Sequence, residues 1–520
     1  MAASLLACAS LAVSIPVTLS RTPHPQIQDE FSNLLVADTF CEGRLANPTH
    51  PHWQHFETFH VIHEPSYASK YPPGQGAFLA LGQWLVGKPI AGMWLLSALA
   101  TVACYWMLLG WTSPRWALLG GAVMLVHPGY HLAWGQLYWG GMLALLGGAL
   151  VFGAALRIVR RCEIRDAVAM AVGSVLLAVS RPFEGLLLCL LVGAWVLLRW
   201  AAVGIPATWR ALALKTVLPQ ALLLLVGAWG LARYNQAVTG DPAKLPYTVY
   251  EQQYGQAPLF LGQAPKHPTY RHDVIDKFHS GWAMDWYRNQ DSLAGVLRTK
   301  WEMIRFAAIF FFPLALALPL VALLLLSPRL WARGRLRAPL AIGGLTLLGS
   351  LACLWNYPHY LAPIAPLLLI AVVAGLRYVD VVGRRRYGLY PYAGILIAFQ
   401  ACLFFTQAVN RAAVPVGGFH VQRAQIEADL ERTEKRHLIF VRYDATHNAI
   451  EDWMYNRADI DGSNVVWARE MNPASDAELI RYFADRKVWL LEPDQHRMRP
   501  LEAVEGGLPL VGTDGAQSWV

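Results

Sequence analysis

The chain is poor in charge. Lys, Arg, Asp and Glu make up 15% of its 520 residues, where a soluble globular domain carries about a quarter, so a soluble enzyme or binding module is excluded as the whole of the molecule. Cysteine is sparse where it would matter. Of seven, Cys8, Cys104, Cys189, Cys353 and Cys402 fall in apolar runs, Cys162 in a basic loop, and only Cys41 in a long polar segment. A disulfide framework is therefore not expected. The chain also lacks a glycine-rich phosphate loop between strand and helix, a HExxH zinc motif, a Ser–His–Asp order, a nucleic-acid module and any internal repeat.

What it has instead is apolar length. The composition is 55% hydrophobic with mean hydropathy +0.33, and runs near the twenty residues needed to cross a bilayer recur over the first four fifths. Length and hydropathy predict about eleven spans, near 2–20, 89–109, 115–132, 138–156, 167–180, 183–200, 211–231, 303–326, 339–355, 359–376 and 389–409. A partial or interfacial helix is expected over 74–87. The first run has no basic n-region and no A-x-A site, which favours an uncleaved span over a signal peptide. The 21 Trp and 20 Tyr suit side chains that settle at headgroup level.

The net charge of +8 points to topology, not to nucleic acid. Arg157, Arg160, Arg161 and Arg165 share one short loop, Arg329, Arg333, Arg335 and Arg337 a second, and Arg377, Arg384, Arg385 and Arg386 a third. Short basic loops between apolar runs mark cytoplasmic turns. That register puts the N-terminus in the cytoplasm and the segments 21–75, 232–302 and everything after 410 outside. The expected organisation is a membrane part over 1–410 and a soluble α/β unit over 411–520. In the latter, HLIFVRY, VVWARE and KVWLLEPD read as strands and ASDAELIRYFADR as an amphipathic helix capped by Ser475.

The candidate chemistry sits beside the expected outer membrane face. Asp29 and Glu30 open the run QDEFSNLLVADTF about ten residues beyond the first span. Acidic residues there either start a helix, where they complement its dipole, or supply a general base at the water–lipid boundary. Neighbours on a helix point about 100° apart, so only one of the pair is expected to do chemistry. KYPPGQG (70–76) offers Lys70, as a phosphate partner or as a lysine snorkelling to water, and Tyr71 beside it. SRPFEG (180–185) offers Arg181 and Glu184, as a functional pair or a structural one. NYPHYLAP (356–363) offers His359 and Tyr360, as ligands or interface anchors. The histidines of HPHWQHFETFHVIH (His50, His52, His55, His60 and His63) match no zinc template and read as incidental.

Taken together, the span followed by QDE, then KYPPGQG, SRPFEG, a long polar segment and PHYLAP resemble a membrane glycosyltransferase of the GT-C class. The likeness is greatest to bacterial relatives of the dolichyl-phosphate-mannose protein mannosyltransferases and the lipid A aminoarabinose transferases. It covers roughly 1–410. The resemblance implies a mainly α, polytopic fold in a bacterial plasma membrane, with a polyprenyl-phosphate sugar as donor and a glycan, lipid or protein hydroxyl as acceptor. It further implies Asp29 as the base, Glu30 in a supporting part, and Lys70, Arg181, His359 and Tyr360 around the departing phosphate, supported by Tyr71 and Glu184. No cofactor or essential metal is expected. A transporter or flippase and a non-catalytic membrane scaffold are the rival readings. The first should show inverted repeats or ionisable residues deep in its spans.

Overall fold

The computed structural model describes residues 1–332, 334–388, 391–414, 416–502, 511–512 and 517–518. Arg333 of the second basic loop, the first two positions of the expected 389–409 span and the remaining C-terminal residues lie outside the described residues. The protein is a mainly helical, multi-pass membrane protein with a small sheet near its C-terminus. Helices occupy every expected span. Among the described residues, seven of them are long and apolar enough on their own to cross a bilayer: Ala2–Ser20, Ile90–Trp111, Met142–Arg160, Pro182–Val203, Trp209–Thr239, Pro358–Tyr387 and Tyr392–Ala413. Those at Pro114–Leu125, Ile164–Ala178 and Arg337–Ser350 are shorter.

One expected span is corrected. Residues 303–326 do not form a straight helix but the end of Leu293–Phe311 and all of Leu314–Leu326, bent by 109°. Pro313 has no N–H to continue the ladder and forces Phe312 out of helical geometry (φ −127°, ψ 71°). The first of the two helices exposes Leu293, Leu297, Trp301, Phe306 and Ile309, a pattern suited to lying along the membrane surface.

The bundle closes around Met142–Arg160, whose apolar window is 89% buried. Small residues let neighbours reach its backbone: a Cβ on Gly148 would sit 2.0 Å from the Pro363 carbonyl. At one end of the bundle the polar segments 21–75 and 232–302 build a layer. It contains the helix Gln28–Cys41, a two-stranded ribbon pairing Val61–Ile62 with Ala68–Ser69, and the helix Gly74–Val86 that returns to the core.

A sheet covers this layer. Its strands run in the order Val465–Arg469, Arg436–Val441, Arg486–Glu492, Arg497–Glu502 and Val511–Gly512, with Gln517–Ser518 also paired to Arg497–Glu502; the first three are parallel and the others antiparallel. The first three are the expected strands; the fourth, RMRPLE, shows no alternation and was not expected. The helix between strands is Pro473–Tyr482, and its cap is Asn472, whose side chain accepts from the Ser475 N–H at 3.1 Å; Ser475 is not the cap. Leu35, Phe56, Val61 and Tyr67 share one hydrophobic core with Leu438, Phe440, Val466 and Leu490 of the sheet. Asp38 accepts the Ala458 N–H at 2.6 Å and Gln28 donates to the Ile450 carbonyl at 2.6 Å. The sheet thus clamps the segment that carries Asp29.

KYPPGQG is held against SRPFEG by one backbone bond, Gly74 N–H to the Val179 carbonyl at 2.9 Å. A Cβ on Gly74 would lie 2.6 Å from that same carbonyl and 2.7 Å from the Val179 side chain. We expect Gly74→Ala to cost about 1–3 kcal/mol through overpacking. Gly230→Ala, in open space inside Leu218–Thr239, should be neutral or gain up to about 1 kcal/mol. Thermal unfolding in detergent distinguishes them, and equal shifts would contradict the close-approach argument.

Candidate active site

A cavity of about 350 Å³ opens where the polar layer meets the helix ends. Asp29, Lys70, Tyr71, Arg181, Glu184, His359 and Tyr360 all line it, although they come from four separate stretches of chain. Glu30 does not. Its carboxylate turns into the protein, 1% exposed, and accepts the backbone N–H groups of Gln26 at 2.7 Å and Tyr138 at 2.8 Å. The helix Gln28–Cys41 has Ile27 at its N-cap with no side-chain cap, so the work of securing this terminus falls to Glu30 and not to Asp29. Burial, reinforced by Asp29, pushes Glu30 up to about 7 against the opposing pull of its backbone donors.

Asp29 is left free to face the cavity. Tyr71 donates its hydroxyl to Asp29 Oδ1, and the Asn33 amide donates to the Asp29 carbonyl at 2.9 Å. His60 Nδ1 lies 3.0 Å from Tyr71 Oη and 3.8 Å from Asp29 Oδ2. Burial and the neighbouring Asp29 hold the Tyr71 hydroxyl well above its ordinary range, so it stays a donor.

Two cations share the space. Lys70 is buried, with Nζ 3.7 Å from Glu251 Oε1 and 4.4, 4.8 and 5.4 Å from the ring centres of Tyr250, Tyr247 and Tyr71. Burial lowers the pKa of Lys70 and raises that of Glu251, while their mutual attraction opposes both shifts. Arg181 lays its guanidinium on the Tyr360 ring at 4.5 Å. It makes no ion pair with Glu184 or any other carboxylate among the described residues, so its donors remain available. His359 packs between Trp139 (4.4 Å) and Tyr357 (5.9 Å, near parallel), with Nδ1 buried and unpartnered. Phe183, Leu231, Leu245, Leu259 and Phe260 form an apolar flank to this polar end, a combination that suits a ligand with a charged head and a hydrocarbon chain.

Sequence reasoning missed His60, Tyr247, Glu251 and Tyr357. The aromatic density of YTVYEQQYGQ was the available signal for two of them. Of the histidine run only His60 reaches the cavity. His50 bonds Asp461 and His55 the Arg469 carbonyl, which ties the layer to the sheet. Among the described residues no three His, Cys, Asp or Glu side chains converge as a metal site requires.

No protein-family model and no curated protein matches the chain. Solved structures do. The chain shares its fold with ArnT. The match to ArnT from Cupriavidus metallidurans, determined bound to undecaprenyl phosphate, has a TM-score of 0.54 at 14% identity, and it covers 95% of this chain and 93% of that one. The architecture is therefore GT-C-like. The oligosaccharyltransferase AglB from Archaeoglobus fulgidus, in complex with an inhibitory peptide and a dolichol-phosphate, aligns with a TM-score of 0.46 at 12% identity over 94% of this chain and 69% of its own.

The placement of Glu30 has a pH signature. Its pKa is raised from 4.5 in the unfolded chain to about 7, so the folded state binds the proton more tightly. The stability from this group is fully present below about 4.5 and is lost as pH rises through about 7. Unfolding midpoints measured across that window should fall with rising pH for this reason. Glu30→Gln should flatten that part of the curve; an unchanged slope would show that Glu30 is not the group responsible.

Proposed function

We propose that the protein is an inverting glycosyltransferase that moves a sugar from a polyprenyl-phosphate donor to an acceptor hydroxyl. One observation carries this reading: a free-facing carboxylate, two cations and an apolar flank share a single cavity at the end of a GT-C-like bundle. In the proposed reaction the acceptor oxygen attacks the anomeric carbon while Asp29 takes its proton. The bond from that carbon to the phosphate oxygen breaks, and the lipid phosphate leaves with the electron pair. A single displacement inverts the anomeric centre. Lys70 and Arg181, with His359 and Tyr360 beside them, stabilise the charge that develops on the departing phosphate. Tyr71 orients Asp29, and Glu184 adjoins the turn that carries Arg181. Glu30 acts only by fixing the helix, and no essential metal takes part. The apolar flank holds the polyprenyl chain, as befits a fold whose relative ArnT was determined with undecaprenyl phosphate.

The test supplies purified protein with a panel of undecaprenyl-phosphate-linked hexoses and pentoses and measures release of undecaprenyl phosphate. Asp29→Asn should lower kcat by about 10²-fold or more without loss of folding. Lys70→Ala and Arg181→Ala should weaken binding of undecaprenyl phosphate itself by about tenfold or more. Full activity in Asp29→Asn removes it as the base, and unchanged lipid-phosphate binding removes the two cations from that role.

The same reading sets the cavity and the sheet on the outer side of a bacterial plasma membrane, with the N-terminus in the cytoplasm. Arg157, Arg160, Arg384 and Arg385 then fall on the cytoplasmic side, as the basic-loop rule requires. A periplasm-dependent reporter fused after Ala412 should be active; a cytoplasmic signal there would reverse the orientation.

A further inference from the structure

His60 has no task in the chemistry above, yet it lines the cavity in an unusual backbone conformation. Its backbone is left-handed, with φ +62°, a conformation uncommon for a non-glycine residue. Two bonds enforce it here. The His60 carbonyl accepts from Ser32 Oγ at 2.6 Å and from the Lys70 N–H at 3.1 Å. Ser32 is itself fixed to Ser69 Oγ at 2.6 Å. This conformation aims the imidazole into the cavity, edge-on to Tyr71, with Nδ1 3.0 Å from Tyr71 Oη.

We propose, resting on Asp29 as the base, that His60 is a positioning residue: it holds Tyr71 as a hydrogen-bond donor to Asp29 Oδ1, leaving Oδ2 for the acceptor's proton. Tyr71 gives its only proton to Asp29, so the bond from His60 requires the neutral tautomer with its proton on Nδ1. Burial, together with Lys70 and His279, keeps His60 well below its ordinary range and hence neutral. The groups facing it are Asp29, Tyr71, Lys70, His279 and the rings of Tyr250 and Phe278. Among the described residues Asp29 Oδ2 has no hydrogen-bond donor, so the chain His60–Tyr71–Asp29 ends on an open oxygen. The bonded pair Tyr71–His60 behind Oδ1 thus fixes the Asp29 rotamer.

The experiment uses the full-length protein in micelles with His60→Gly, His60→Asn, Tyr71→Phe and the His60→Gly/Tyr71→Phe double variant. Glycine removes the imidazole while accepting the left-handed backbone, and asparagine keeps a donor in a residue that tolerates it. Two readouts are taken. The first is kcat and KM for undecaprenyl phosphate release with whichever sugar of the panel the wild type turns over. The second needs no substrate: the infrared carboxylate stretch of ¹³C-aspartate-labelled protein at neutral pH, with the Asp29→Asn spectrum subtracted. We expect His60→Gly to lower kcat about tenfold or more with little change in KM for the donor, and to shift the frequency of the Asp29 carboxylate band, which reports the Tyr71 hydrogen bond. His60→Asn should recover part of both. The double variant should match Tyr71→Phe alone, because both act through one contact. If His60→Gly does not accumulate, His60→Asn against Tyr71→Phe carries the same comparison. Wild-type kcat and an unmoved carboxylate band in His60→Gly would overturn the proposal, as would fully additive effects in the double variant. If instead Asp29→Asn retains activity while the band still moves, the base assignment fails and the positioning contact stands.

Discussion

The buried carboxylate of Glu30 fixes the geometry on which the cavity depends. It binds two backbone N–H groups, Gln26 just before the helix Gln28–Cys41 and Tyr138 in the turn that precedes the central helix. Tyr138 returns the contact through its hydroxyl to the Pro23 carbonyl at 3.0 Å. Buried backbone donors without partners are costly, so these bonds are hard to trade for others. With Glu30 turned inward, helix geometry turns the preceding side chain about 100° away. Asp29 faces the cavity because Glu30 does not.

Backbone contacts build the rest of the site. Gly74 docks on the Val179 carbonyl, Lys70 on that of His60, and the turn at Cys353–Leu354 pairs with Leu259–Leu261. The first and last of these bonds join stretches of chain far apart in sequence, so the cavity is assembled by tertiary structure and not by one motif. The covering sheet shares its core with Leu35 and Phe56, so the layer bearing Asp29 is held from both sides. Such support is what keeps catalytic groups within a fraction of an ångström of a working geometry.

The helical bundle was legible because apolar length is a local signal, and the breaks in it were legible only in part. Pro313 lay in plain view, yet a hydropathy window averages across it and reads one span where there are two helices at 109°. Asp29 and Glu30 could be ranked no further from sequence, being chemically alike and adjacent. What separates them is burial against Tyr138, more than a hundred residues away. His60 was indistinguishable among its neighbouring histidines for the same reason, since its left-handed backbone and its contact with Tyr71 exist only in the fold. Glu251 lay hidden in a polar run, and only the tyrosines around it hinted at a built environment. The strand Arg497–Glu502 was missed because pairing with Arg486–Glu492, and not its own pattern, makes it a strand.

The setting of Lys70 shows how the cavity can keep a cation ready without a ligand. An isolated ammonium in a buried, largely apolar site loses its charge or unfolds its surroundings. Here Glu251 supplies a counter-charge at 3.7 Å and three tyrosine rings supply their negative faces. Neither partner is a tight, bidentate clamp, so a phosphate that offers closer oxygens can draw the ammonium away at modest cost. Arg181 follows the same logic on Tyr360, where stacking occupies its face and leaves its N–H edge free. Arg181 is thus stabilised through a contact that consumes none of the donors a phosphate would need, and the Glu251 pair leaves Lys70 further donors of its three. A strong salt bridge would have secured either residue better and left it less fit for the proposed role.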